Sequence, residues 1–301
     1  MKIGLIDVDS HNYVNLPLMK LSAFHKRNGD SVEWYYPLIS GHMDIVYQSK
    51  VFTFTADYDF PIDTDKLVKG GTGYLLNTVL EDEIEHIYPD YSIYPSLTKD
   101  TAYGFLTRGC PRGCDFCIVG DKEGRKSRKV ADLSEFWSGQ CNIVLMDPNL
   151  IACAEWKDLI QQLIDSKSYI DINQGIDIRL MTEEKAEMIK RLKVKNIHFA
   201  WDRIEDKSSI IDKFKMFKDI SGLDYQKLTV FVLTNFNTTT DEDLERIYTL
   251  RDIGYNPYVM IYEKEKTKSA DTCRMVQRWV NNRRIFRTIA DFKEYRRSVK
   301  G

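Results

Sequence analysis

Residues 107–117 read Thr-Arg-Gly-Cys-Pro-Arg-Gly-Cys-Asp-Phe-Cys, which sets Cys110, Cys114 and Cys117 in a C-x3-C-x2-C spacing. Pro111 and Gly113 bend the chain between them, so one tight loop carries three thiolates. A structural zinc site wants four ligands, usually from paired C-x-x-C runs or nearby histidines. The histidines, at positions 11, 25, 42, 86 and 198, are scattered, and none lies beside the loop. Core cysteines would rarely sit among Arg108, Arg112 and Asp115. Three thiolates suit a cubane 4Fe–4S cluster that leaves one iron without a protein ligand and open to a cofactor. Cys141, Cys153 and Cys273 have no such partners and read as packing residues.

On the C-terminal side of the loop a regular rhythm runs on. Short apolar runs that end in polar residues lie at 103–108, 142–147, 169–174, 196–202, 228–235 and 257–263. Helical patterns such as WKDLIQQLIDS, TEEKAEMIKRL and TDEDLERIYTLRDIG alternate with them. Six βα-type units over residues 99–265 predict a partial (β/α)6 TIM-like barrel, with its chemistry gathered at the C-terminal edges of the strands. Alternation on the third strand turns Ile170 and Ile172 to the helices, and Asp171 and Asn173 to the barrel. Asp177 and Arg179 then fall at the barrel mouth, where the Arg179 fork suits a carboxylate. Asp202 and Asn235 end the fourth and fifth strands and suit ribose hydroxyls. For each of these polar residues a capping or loop hydrogen bond is the rival role. Lys122 and Glu123 lie in a charged, glycine-flanked loop after the cysteines, fit either for substrate contact or for a solvated turn.

On the N-terminal side, residues 1–98 form a unit of their own. KIGLIDV (2–8) reads as a buried strand, 16–25 as a helix, 31–36 as a second strand and 51–55 as a third, before Gly70-Gly71-Thr72-Gly73. Such an order predicts a small Rossmann-like α/β unit. His11 and Asn12, just past its first strand, are candidate substrate contacts. Residues 266–301 form a basic helical extension. By count, residues 1–100 hold 8 Lys/Arg against 15 Asp/Glu, while 266–301 hold 11 against 3. The extension is expected to pack on the barrel or on the N-terminal unit through Met275, Trp279, Ile285, Phe286, Ile289 and Phe292 rather than to bind phosphates.

With its aromatic before the last cysteine and its place after a first barrel strand, the loop resembles that of radical S-adenosylmethionine (SAM) enzymes. The resemblance spans 101–263. It implies a 4Fe–4S cluster on Cys110, Cys114 and Cys117, with SAM at the open iron and Phe116 against its adenine. Ile143-Val144-Leu145-Met146-Asp147-Pro148-Asn149-Leu150 resembles the second-strand segment that meets the SAM amino group, with Asp147 and Asn149 where Gly-Gly-Glu is more usual. By the same resemblance Asp177, Arg179, Asp202 and Asn235 complete the SAM site, and a flavodoxin or ferredoxin supplies electrons. The N-terminal unit is similar to a degenerate cobalamin-binding domain. Asp9 and His11 match its D-x-H-x-x-G pattern, but Val14 replaces the glycine, so cobalamin is not expected.

The implied reaction is hydrogen abstraction from a substrate by a 5′-deoxyadenosyl radical. A small molecule is favoured, with lyases that salvage the deazaguanine base queuine as a lead. An enzyme modifying RNA or a peptide, and a non-catalytic cluster-binding protein, are the alternatives. Hydrophobic residues at 43% and charged residues at 29% are ordinary for a globular chain. The N-terminus turns polar after six residues and no apolar run would span a bilayer, so a cytoplasmic protein is expected.

Overall fold

The computed structural model describes residues 1–10, 12–269 and 271–300, without the side chains of 297–300. The chain divides into two compact units, Met1–Gly104 with Ala131–Ile143, and Phe105–Val130 with Val144–Gly301.

The smaller unit is built on β1 (Lys2–Asp7), α1 (Leu16–Arg27), β2 (Ser31–Trp34), β3 (Met43–Ser49) and β4 (Thr64–Gly70). Its four strands are parallel in the order β2-β1-β3-β4. Asn15 caps α1 by accepting from Leu18 N, and Pro17 fits the first turn, where a missing N–H costs nothing. Leu18 and Leu21 of α1 pack on Ile3 and Leu5, closing one face of the sheet. The opposite face gathers Ile6, Tyr35, Met43 and Val46. The third strand is not at 51–55 as expected but at Met43–Ser49. Residues 51–55 are irregular because the Asp9 carboxylate takes the Val51 and Phe52 amides, at 2.9 Å each, out of any ladder. Two short helices, α2 (Asp82–Glu85) and α3 (Pro95–Thr98), follow β4.

A six-stranded sheet carries the βα units. Its strands are β5 (Thr101–Gly104), β8 (Asn142–Leu145), β9 (Tyr169–Ile176), β10 (Lys193–Ala200), β11 (Leu228–Thr234) and β12 (Asn256–Ile261), in the order β12-β11-β10-β9-β8-β5. Between β5 and β8 a two-residue hairpin pairs β6 (Thr107–Arg108) with β7 (Arg128–Lys129), and α4 (Val119–Glu123) lies in its loop. The β9–β10, β10–β11 and β11–β12 pairs are parallel. This is a partial (β/α)-barrel architecture, open between β5 and β12. The helices are α5 (Trp156–Ser166), α6 (Glu183–Lys190), α7 (Lys207–Ser221) and α8 (Thr240–Asp252). A capping box between Thr239 and Glu242 starts α8, and Gly254, at φ +82°, follows its end. Ile170, Ile172, Ile197, Phe199, Val230, Val232 and Val259 are buried on the helix face of the sheet, where Phe199 meets Phe214 and Phe217 of α7 edge-on.

The basic extension forms α9 (Thr272–Asn281), α10 (Arg283–Thr288) and α11 (Phe292–Lys300). Trp279 is fully buried, between Tyr248 of α8 and the rings of Phe286 and Phe292. Helix α9 closes the free edge of β12. Asn281 Oδ1 accepts from Val259 N at 2.8 Å, and Asn281 Nδ2 and Gln277 Nε2 both donate to Val259 O at 3.0 Å. Side-chain amides thus substitute for the missing neighbouring strand.

Candidate active site around the cysteine loop

The loop is fastened from three directions. Asp147, two residues past the end of β8, is fully buried; its Oδ1 accepts from Thr107 N at 2.5 Å and Thr107 Oγ1 at 2.7 Å, and its Oδ2 from Leu106 N at 3.2 Å. Burial pushes its pKa up to about 6 against the pull of these bonds. On the far side Glu123, closing α4, accepts from Arg108 Nη1 at 2.9 Å and Gly109 N at 3.1 Å. Cys110 N then donates to Gly124 O at 3.2 Å. Gly109 has φ +84°, and a Cβ there would stand 2.3 Å from Lys126 O, so only glycine lets the two loop arms approach this closely.

The third fastening is ionic. Arg112, between the first two cysteines, donates Nε to Asp177 Oδ2 at 2.5 Å. Asp177 Oδ1 accepts from Arg179 Nε at 2.7 Å, and Arg179 Nη1 reaches Asp206 at 2.9 Å. Burial alone would lower the Arg179 pKa, but Asp177 and Asp206 together raise it. Asp177 and Arg179, both expected at the mouth, are therefore paired with each other and with the loop.

Asn149 follows Asp147 by two residues and touches a cysteine. Its Nδ2 donates to Cys110 Sγ at 3.5 Å, while Ser127 Oγ donates to its backbone carbonyl. Its Oδ1 is buried without a partner. Phe116 meets Phe236 edge-on at 5.4 Å, and Phe236 meets Tyr262 at 4.8 Å, giving an aromatic wall. Asp202 accepts from Leu233 N at 3.3 Å, and burial raises its pKa to about 6. Burial also raises the Cys114 and Cys117 thiols, with the Asp202 charge adding to it.

The remaining candidates are dispersed. Asn235 is exposed at φ +65° and donates to Tyr262 O at 3.0 Å. Lys122 is half-buried, and burial lowers its pKa. Asn173 is exposed on the face of β9 away from the helices, and Asn12 is exposed in the smaller unit. His11 lies outside the described residues. Sequence reasoning missed Arg112 as a loop clamp, and it missed Thr107, whose hydroxyl completes the Asp147 grip. Neither residue type carries a pattern that announces the role.

Among the described residues no three His, Cys, Asp or Glu side chains converge as they would around one metal ion. The chemistry of the donor set nonetheless fits a cluster with an open iron: three thiols on one pinned loop, and beside Cys110 a buried amide oxygen that lacks a donor.

The fold and this loop define an α/β protein of partial-barrel type whose three-cysteine loop follows the first barrel strand. A solved radical SAM methyltransferase shares that fold. The chain is similar to the radical SAM methyltransferase TsrM from Kitasatospora setae, solved with cobalamin and a [4Fe-4S] cluster bound, at a TM-score of 0.61 and 10% identity, covering 86% of this chain and 74% of that one. Streptococcus suis SuiB, bound to its precursor peptide SuiA, matches at a TM-score of 0.42 and 10% identity, covering 80% of this chain and 56% of that one. No family model matches the sequence, and no curated protein does. Among the described residues no helix is long and apolar enough to cross a membrane.

Proposed function

We propose that this chain is a radical SAM enzyme acting on a small molecule. Cys110, Cys114 and Cys117 would hold a 4Fe–4S cluster, and SAM would bind beside it. When bound, the pair supplies a 5′-deoxyadenosyl radical for hydrogen abstraction. The observation that carries the reading is Asn149, which donates to Cys110 Sγ and keeps a buried Oδ1 without a donor. An ammonium group, such as that of the SAM methionyl end, would satisfy this oxygen. Asp147 acts behind it, holding Thr107 and so the start of the loop. Phe116 and Phe236 offer an aromatic face for adenine. Asp202 keeps a carboxylate toward the cysteines for ribose hydroxyls, and Arg179, already tied to Asp177 and Asp206, sets the rim. A flavodoxin or ferredoxin is the expected electron donor.

TsrM carries cobalamin, but this chain is read without it, because the side chain of Val14 is buried where the corrin-binding pattern asks for glycine. A small substrate is favoured over RNA because the aromatic residues of the basic extension are spent on packing: Trp279, Phe286 and Phe292 are all buried. Within small molecules, a lyase acting on a modified nucleobase such as queuine remains the lead.

The test is anaerobic reconstitution. About four irons and four sulfides per chain, and dithionite-dependent release of 5′-deoxyadenosine from SAM, are expected. Equal iron loading in the Cys110/Cys114/Cys117 triple alanine variant would refute the assignment.

A further inference from the structure

Strands β9 to β12 bury alternate residues under the helices, and the opposite face carries Asp171, Asn173, His198, Phe231, Tyr258 and Met260. His198 Nδ1 lies 2.8 Å from Ile172 O. Only an N–H can meet a carbonyl at that distance, so Nδ1 bears a proton and Nε2 is the nitrogen that accepts in the neutral ring. Asp171 stands behind it, with Oδ1 at 3.9 Å from Nδ1 and otherwise without a partner, and with Oδ2 held by Asn196 Nδ2 at 3.0 Å. The imidazole stacks on Phe231 at 5.0 Å and 11°, and Phe231 meets Tyr258 edge-on at 5.9 Å. Tyr258 is 45% exposed. The row is therefore an imidazole fixed in one tautomer beside aromatic rings left open to a ligand.

Tyr258 also lines a cleft of about 720 Å³ between β12 and α9–α11. Lys264, Arg278 and Arg283 line it too, and among the described residues no Asp or Glu does. The Arg278 guanidinium is anchored by Ser269 Oγ and O. Lys264 Nζ and the Arg283 guanidinium have no carboxylate partner among the described residues. One tyrosine thus joins an aromatic, hydrogen-bonding floor to a cationic cleft.

We propose that this face and cleft bind a free mononucleotide. The base lies against Phe231 and Tyr258 and donates an N–H to His198 Nε2, and the phosphate enters the cleft among Lys264, Arg278 and Arg283. The inference rests on the radical SAM reading only in naming that enzyme's substrate class; the binding itself needs no chemistry at the cluster.

The test uses reconstituted protein saturated with SAM, so that the adenosine site is filled. GMP, AMP, CMP and UMP, their nucleosides, inorganic phosphate and a short RNA hairpin are titrated by calorimetry. At least one mononucleotide should bind about tenfold more tightly than its nucleoside. Lys264→Ala with Arg283→Ala should erase that difference and leave nucleoside affinity unchanged, whereas His198→Gln should weaken nucleotide and nucleoside alike. Equal binding of nucleotide and nucleoside, binding of the hairpin alone, or no saturation by any mononucleotide would overturn the proposal. 5′-Deoxyadenosine release is measured in parallel on the same samples. Release without nucleotide binding sinks only this inference, and nucleotide binding without release sinks only the radical SAM reading.

Discussion

Arg112 on the cysteine loop and Asp177 after β9 form an ion pair at 2.5 Å, and Arg179 shares the same carboxylate. The loop is thereby held by a group far along the sequence. Asp177→Ala would leave Arg112 without a partner while Asp147 and Glu123 still hold the loop ends. Iron content is expected to stay near the parent value, and SAM cleavage to fall about tenfold or more, since a charged hydrogen bond is worth about 1.5–3 kcal/mol. Iron analysis and 5′-deoxyadenosine release read the two quantities separately. Full cleavage in the variant would mean that the other two fastenings suffice.

Asp147 and Asn149 are two residues apart and should fail differently. Asp147→Ala leaves the buried amides of Leu106 and Thr107 unpaired, so a stability loss of about 2–4 kcal/mol and poor cluster loading are expected. Asn149→Ala removes one free acceptor and one weak donor to Cys110. It should keep stability within about 1 kcal/mol and weaken SAM binding about tenfold. Urea denaturation and SAM titration separate the pair, and matching phenotypes would show that Asn149 acts only on the loop.

The sequence announced the cysteine loop because three identical reactive residues at short spacing have few structural explanations. The βα rhythm was equally legible, since buried strands such as Leu228–Thr234 are continuous apolar runs. Residues 51–55 misled because Val-Phe-Thr-Phe-Thr alternates like a strand, and only the distant Asp9 carboxylate explains why it is not one. Asp147 stood out in the sequence, but its grip on Thr107 depends on the return from β8 to the start of the loop, which no local pattern encodes. His198 sits in Ile-His-Phe, where alternation could have marked it as pointing away from the helices. Its partnership with Asp171 needed the β9–β10 pairing.

Asp202 gives a pH signature. Its pKa is raised to about 6 in the folded chain, against 3.8 ordinarily. A raised carboxylate pKa means that the folded state holds the proton more tightly, so this group's contribution falls as pH rises from about 4 to 6 and is fully unfavourable above. Asp202→Asn removes that dependence. Relative to the parent, the cluster-free variant should gain about 2–3 kcal/mol between pH 4 and pH 7. Denaturation curves of both proteins at several pH values decide, because the two proteins differ by this one carboxyl group. A constant difference would show that Asp202 is solvated.

Whatever its surface cations bind, the packing of the basic extension predicts a structural phenotype. Trp279 is fully buried and donates Nε1 to Ile289 O at 2.9 Å, so Trp279→Ala should cost about 3–5 kcal/mol. Asn281 does a different job on the same helix. It satisfies both the N–H and the C=O of Val259, and Asn281→Ala leaves that N–H without its acceptor at an otherwise open sheet edge. A loss of about 1–3 kcal/mol is expected, together with concentration-dependent association, since an uncovered edge strand pairs with its like. Denaturation measures the first effect and light scattering across a dilution series the second. Asn281→Asp keeps the acceptor but loses the donor to Val259 O, so it should fall between the parent and alanine in both. Association in Trp279→Ala but none in Asn281→Ala would mean that α9 covers β12 by bulk alone, and that its amides are incidental to guarding the edge.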